Sequence, residues 1–277
     1  MDIVLHRIAA ADRLILEPAA HSSLVVSGRF EAPVSDNLAW RALKVLEDVL
    51  EVPIPYRIHL HKSLPVGAGL GGGSADAAAV LRWGMAANPR VQDKILAAAA
   101  SLGADVPFLT GVAGRTARAT GRGDALEALV SPAVGTLVIA YPGVVVPTRA
   151  VYEAFDRVGS TAPPSTPGLV DALRRRVIPF QLSNQLELAA FHVAPGLACF
   201  RKSLERVGAP PARTVMSGSG SSYVVWFQDH EEALALAGTL RRAGVPWVRT
   251  NRLGKGASDG RGSTGGSGQR RTAPRRI

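Results

Sequence analysis

The chain has a single cysteine, Cys199, among its 277 residues, so no intrachain disulfide can form. The surrounding PGLACFRKSLERVG patterns as an amphipathic helix, and there a lone thiol reads as a buried structural one. Aromatic residues make up only 5% of the chain, whereas alanine-rich stretches and 29 glycines are spread through it. No apolar run approaches the roughly 20 residues needed to span a bilayer. The opening MDIVLHRIAAADR is too polar for a secretion signal, so a cytoplasmic location is expected and a membrane role is not. Acidic residues are the scarcer charge, 22 against 32 Lys and Arg, for a net charge of +10. About half of that excess comes from Lys255, Arg261, Arg270, Arg271, Arg275 and Arg276, opposed only by Asp259. The remainder suits a small anionic substrate as well as a polynucleotide, and nucleic-acid binding is not expected.

What the sequence does contain is concentrated glycine. PVGAGLGGGSADAAA (Pro65 to Ala79) packs glycines together and then switches at once to alanine. Glycine admits positive φ and lets a ligand approach with no Cβ in the way. A glycine turn opening into a helix aims several N–H groups at one point, where the helix dipole adds positive potential, so phosphate is the natural ligand. The backbone of Pro65, Val66, Gly67, Ala68, Gly69, Leu70, Gly71, Gly72, Gly73, Ser74 and Ala75 is therefore the candidate anion cradle. Ser74 is expected to cap the helix and to offer its hydroxyl to a phosphate or a metal ion. GAGLGG satisfies G-x-G-x-x-G, but a dinucleotide site needs a parallel strand next, and RWGMAANPRVQDKILAAAASLGADVP reads as helix, break, helix. A P-loop is excluded because no lysine follows the glycines.

Elsewhere, DIVLH, RLILEPA, SLVVSGRF and YRIHLHKSLP read as strands, and SDNLAWRALKVLEDVLEV as a helix capped by Ser35 or Asp36. Helices are expected over 74–87, 91–102, 148–158, 166–176, 183–191, 197–208 and 229–243. TLVIAY, ARTVMSGSGSSYVVWF and PWVRTNRL supply further strands. Strands and helices mix without a βαβ repeat, which favours α+β over a doubly wound sheet. His59 and His61 share one strand face without a third metal ligand nearby, and read as ordinary strand histidines. The segment from Gly254 onward has almost no apolar side chains and reads as a disordered basic tail.

PVGAGLGGGSADAAAVL resembles the phosphate-binding motif of the GHMP small-molecule kinases. GLGGGSADAA with SLGADVPF downstream is similar to the branch whose acceptor is 4-diphosphocytidyl-2-C-methyl-D-erythritol. DNLAWRA, YPGVVVPTRAVY and VMSGSGSSYVVWF resemble three further segments of that branch. The resemblance implies an α+β, two-domain GHMP architecture: an N-terminal ATP-binding domain (1–132) related to ribosomal protein S5 domain 2, a ferredoxin-like domain (133–253), and the tail (254–277). It implies transfer of the γ-phosphoryl of ATP to the 2-hydroxyl of the acceptor, with Mg²⁺ and without a dedicated metal cage. Asp105 matches the catalytic base, although a helix-cap role is open to it. Lys62 falls near the nucleotide, with a solvent-exposed strand end as the alternative. Asn37 lines the nucleotide pocket, caps a helix, or does both. Asn184 matches a helix start, with Gln185 in place of the usual Asp. Oligomeric state is not read from the chain, and a homodimer stays open. The family's A-P-A-K and G-Y-H segments would precede Met1. The expectation is therefore an upstream natural start, and little kinase activity from this polypeptide as written, since the lysine partner of Asp105 is among those residues.

Overall fold

A computed structural model describes residues 1–29, 36–179 and 181–254; the basic tail beyond Gly254 and the expected cap Ser35 lie outside the described residues. Strands β1 (Asp2–His6), β2 (Arg13–Pro18) and β3 (Ser23–Gly28) lead to helix α1 (Leu38–Leu50), then β4 (Tyr56–Lys62) and helix α2 (Gly72–Ala87). Helices α3 (Gln92–Ala99) and α4 (Val106–Leu109) precede the hairpin β5 (Thr116–Thr120) and β6 (Ala125–Ala128). The second half runs β7 (Thr136–Tyr141), α5 (Thr148–Val158), α6 (Thr166–Arg175), α7 (Glu187–Val193), α8 (Gly196–Arg206), β8 (Thr214–Met216), β9 (Tyr223–Phe227), α9 (His230–Arg242) and β10 (Trp247–Arg252).

The strands form three small sheets, ordered β1-β5-β6, β2-β4-β3 and β10-β7-β9-β8. Among the described residues only β3 and β4 pair in parallel, so the mixed α+β pattern read from the sequence is the pattern found. One core packs Ala42, Leu43 and Leu46 of α1 and Ala77, Ala78 and Leu81 of α2 over Ile58 and Leu60 of β4. The alanines let α2 lie close to α1; at Gly84 an added Cβ would stand 2.5 Å from Leu46. A second core joins Val138, Tyr223 and Val225 of the four-stranded sheet to Val151, Leu197, Leu204 and Leu236. A third cluster joins the halves: Leu64 and Ala68 from the glycine segment meet Ile139, Trp226 and Trp247. The Trp247 indole also donates to the Ser63 carbonyl at 3.0 Å. Among the described residues no helix is long and apolar enough to cross a membrane.

Several expectations are corrected. Helix α1 is capped by Asn37, as one of the readings of that residue expected, its side chain accepting from the Ala39 N–H at 3.0 Å, and not by Asp36. Helix α2 starts two residues before Ser74, because Gly71, with φ +66°, already turns the chain into it; Ser74 is therefore inside the first turn and caps nothing. Cys199 is exposed, not buried. Helix α8 buries Leu197 and Leu204, and a residue two places after Leu197 falls on the opposite side of a 3.6-residue turn. The short helix α4 and the β5–β6 hairpin were not legible, since TARAT and ALEA carry little of the β-branched or aromatic signal that marks a strand.

Candidate active site

The glycine segment turns by alternation. Gly67, Gly69 and Gly71 have φ of +67°, +72° and +66°, the left-handed region. Left-handed residues alternating along a turn direct successive N–H groups into one concavity, the geometry that binds anions. Helix α2 continues the same surface. Its first intrahelical bond runs from the Ala75 N–H to the Gly71 carbonyl at 2.8 Å, and no side chain caps it. The N–H groups of the first turn therefore remain available to a ligand at the positive end of a 16-residue helix. Pro65 and Ala68 are buried and anchor the turn; Val66, Gly67 and Gly73 are exposed, so a ligand can reach it.

Asp105 approaches this turn from the start of α4. Its Oδ2 lies 3.9 Å from where a Cβ on Gly71 would stand. The side chain makes no cap hydrogen bond, so the helix-cap alternative is not realised. Burial raises its pKa above the ordinary carboxylate value. The Ser74 hydroxyl is close by, 3.8 Å from the Cβ position of Gly103, two residues before Asp105. From the second half of the chain Tyr152 of α5 faces the same carboxylate: burial, and then the charge of Asp105, raise its phenol pKa.

The second glycine turn, Ser217–Ser222, closes over the first. The Ser217 hydroxyl donates to the Gly69 carbonyl at 2.7 Å, and the Ser222 N–H to the Ala68 carbonyl at 3.0 Å. A Cβ on Gly69 would stand 2.2 Å from the Ser217 carbonyl oxygen, so glycine is required there. Asn184 holds this second turn by donating to the carbonyls of Met216 and Gly218 at 2.8 and 2.7 Å. The YPGVVVPT segment joins as well, with Thr148 hydrogen-bonded to Ser219 at 2.9 Å and Ser221 to the Val144 carbonyl. The glycine turn, Asp105, the 142–148 segment and the SGSGSS turn thus converge from four separate stretches of sequence.

Lys62 is neither in solvent nor open to a ligand. Its side chain is 4% exposed and pairs with Asp12 and with Asp76, the latter at 2.8 Å. Asp12 and Asp76 were not singled out from the sequence; each is an isolated acid in an apolar stretch, and only the fold brings them to Lys62. Asn37 caps α1, and the next residue, Leu38, has its side chain 3.5 Å from the Cβ position of Gly73 in the cradle. His59 and His61 lie on the exposed sheet face against Glu17 and Ser27. A hollow of about 600 Å³ between Ala20, Trp40, Glu47 and Pro53 is lined by none of these residues. Helix α2 leads into α3 rather than a parallel strand, which removes the dinucleotide reading of GAGLGG.

Residues 37–111 match the GHMP kinases N terminal domain. The 4-diphosphocytidyl-2-C-methyl-D-erythritol kinase of Thermus thermophilus is 39% identical over 244 residues, which cover 87% of this chain and 83% of that protein. This chain belongs to that kinase family. The enzyme of the same name from Salinispora tropica is 35% identical, over 87% of this chain and 79% of its own. The crystal structure of a 4-(cytidine 5'-diphospho)-2C-methyl-D-erythritol kinase superposes with a TM-score of 0.73 at 36% identity, covering 92% of this chain and 90% of that one. A homoserine kinase from Cytophaga hutchinsonii, at 19% identity and a TM-score of 0.66, shares the fold over 91% of this chain and 90% of its own. The α+β, two-domain GHMP kinase architecture expected from the sequence is the one the molecule has, and the chain is a small-molecule kinase.

Proposed function

We propose that the chain transfers the γ-phosphoryl group of ATP to the 2-hydroxyl of 4-diphosphocytidyl-2-C-methyl-D-erythritol, in the cytoplasm, as a step of non-mevalonate isoprenoid synthesis. One coincidence supports this assignment of the site: a glycine cradle with unsatisfied N–H groups has, at its lip, a half-buried carboxylate engaged in no cap hydrogen bond. The cradle amides of residues 67–75 hold the phosphates and offset their charge. Asp105 accepts the proton as the acceptor oxygen bonds to the γ-phosphorus; the bond between that phosphorus and the β,γ-bridging oxygen breaks, and ADP leaves with the electron pair.

Among the described residues no three acidic, His or Cys side chains form a metal cage. Mg²⁺ keeps several waters and takes much of its coordination from substrate phosphates, so a single hydroxyl oxygen beside the cradle is a donor that suits it. Ser74 supplies the protein oxygen that would hold it. When bound, Mg²⁺ neutralises charge developing on the phosphate oxygens. Burial raises the pKa of Asp105 above the ordinary carboxylate value, which makes it the stronger proton acceptor.

Incubating the chain with ATP, Mg²⁺ and 4-diphosphocytidyl-2-C-methyl-D-erythritol and following ³¹P resonances tests the assignment. Growth of a monoester signal together with ADP supports it. Phosphorylation of homoserine or mevalonate in preference to the cytidylyl substrate overturns it.

A further inference from the structure

The two ends of the glycine turn are joined underneath by a buried polar cluster that the phosphoryl-transfer chemistry does not use. Lys62 closes β4 just before the turn, and Asp76 lies one helical turn into α2 just after it. Lys62 Nζ donates to Asp76 Oδ2 at 2.8 Å and to Asp12 Oδ2. Asp12, from the β1–β2 connection, also takes the N–H groups of Ser63 and Leu64 on its Oδ1, at 2.5 and 2.8 Å. The three side chains are only 4%, 1% and 6% exposed for Lys62, Asp12 and Asp76. Behind them β3 presses on the Lys62 backbone: a Cβ on Gly28 would stand 2.4 Å from its carbonyl oxygen, which also accepts from the Arg29 N–H at 3.0 Å.

Burying a cation with two carboxylates is costly, and an apolar trio of the same volume often packs as well or better. What an apolar trio cannot do is fix direction. Asp12 binds two consecutive backbone N–H groups and the ammonium at once, so it sets the angle at which the chain enters the turn. Lys62 then ties that entry to the helix on the exit side. A glycine-rich segment has high conformational entropy when free, and ordering it at the moment of binding would subtract from affinity.

We propose that Asp12, Lys62 and Asp76 are positioning residues: a clamp beneath the glycine turn that sets its amides before a nucleotide arrives. The proposal rests on the reading of residues 65–75 as the phosphate cradle. It also gives Lys62 a role without nucleotide contact, which its burial requires.

Amide hydrogen exchange of the full chain without ligand, together with ATP titration calorimetry, tests the clamp in Asp12→Asn, Lys62→Met and the double variant. In both single variants exchange at the amides hydrogen-bonded to the turn, Ala75 (to the Gly71 carbonyl) and Ser222 (to the Ala68 carbonyl), is expected to quicken by on the order of tenfold, with β7, β9 and β10 protected as before. ATP is expected to bind more weakly by a similar factor, and the double variant no more weakly than the worse single one, because the groups act as one unit. A purely structural role would instead loosen the whole α1–α2 core. If Lys62→Met fails to fold, Asp76→Leu is read in its place. Unchanged exchange at these two amides in folded Asp12→Asn overturns the proposal. So does a loss of ATP affinity in Lys62→Met that Asp12→Asn does not share, which would mean direct contact. Quickened exchange at them in a chain whose wild type binds no ATP supports the clamp and removes the cradle reading instead.

Discussion

The Ser217 hydroxyl donates a 2.7 Å hydrogen bond to the carbonyl of Gly69, although 148 residues separate them. Two glycine turns from opposite halves of the chain therefore form one surface. Gly69→Ala is expected to break it: the new Cβ meets the carbonyl oxygens of Ser217 and Gly220 at 2.2 and 2.7 Å, on a residue with φ of +72°. The strain costs about 1–3 kcal/mol of stability and ATP affinity falls at least about tenfold. Ser217→Ala, losing only the hydrogen bond, costs about 1 kcal/mol. Urea melts and calorimetry check both.

Asp105→Asn preserves shape and removes the proton acceptor. Turnover is expected to drop by about 10²–10⁴-fold with ATP affinity retained within a few-fold, measured by ADP release and calorimetry. Because burial raises the Asp105 pKa, kcat rises with pH through a point above the ordinary carboxylate value of 3.8.

Stability carries its own pH signature at Asp76. Burial pushes this carboxyl up to about 7, against the lowering effect of Lys62. Unfolded, it titrates near 3.8, so between these values the folded chain holds more protons than the unfolded one, and stability falls as pH rises through that window. His6 acts in the opposite sense: burial, then Arg115 and Arg7, lower it from 6.5 to about 4, and stability rises with pH between those values. Asp76→Asn is therefore expected to unmask the His6 slope. Its urea midpoint should climb between about pH 4 and pH 6.5 more steeply than that of the wild type.

Cys199 is exposed on α8, on the side opposite the buried Leu197 and Leu204. A maleimide should label it in the native protein without lowering ATP affinity, as read by intact mass and calorimetry. Labelling only after denaturation would place it in a core.

Much of this was legible in sequence because local rules and the fold agree. Thr148–Val158 is helical over the span its pattern predicts, and the alternation in DIVLH, RLILEP and YRIHLHK became β1, β2 and β4. The glycine-to-alanine switch gave the cradle, since it needs positive φ and then a helix that packs closely. Asp105 could be singled out only through the family motif, because one acid before Val-Pro reads equally as a cap. The clamp was not legible: Asp12 and Asp76 carry no motif, and the pairings that join them to Lys62 span 50 and 14 residues. The β5–β6 hairpin pairs with its neighbour β1, and its Ala, Arg and Glu residues diluted the strand signal of Thr116 and Thr120.

A crystal structure of the chain with a non-hydrolysable ATP analogue and Mg²⁺ tests the central claim most directly. The account predicts phosphates against the amides of residues 67–75, with the terminal group beside Asp105. Phosphates bound elsewhere, or a terminal group facing away from Asp105, would contradict it.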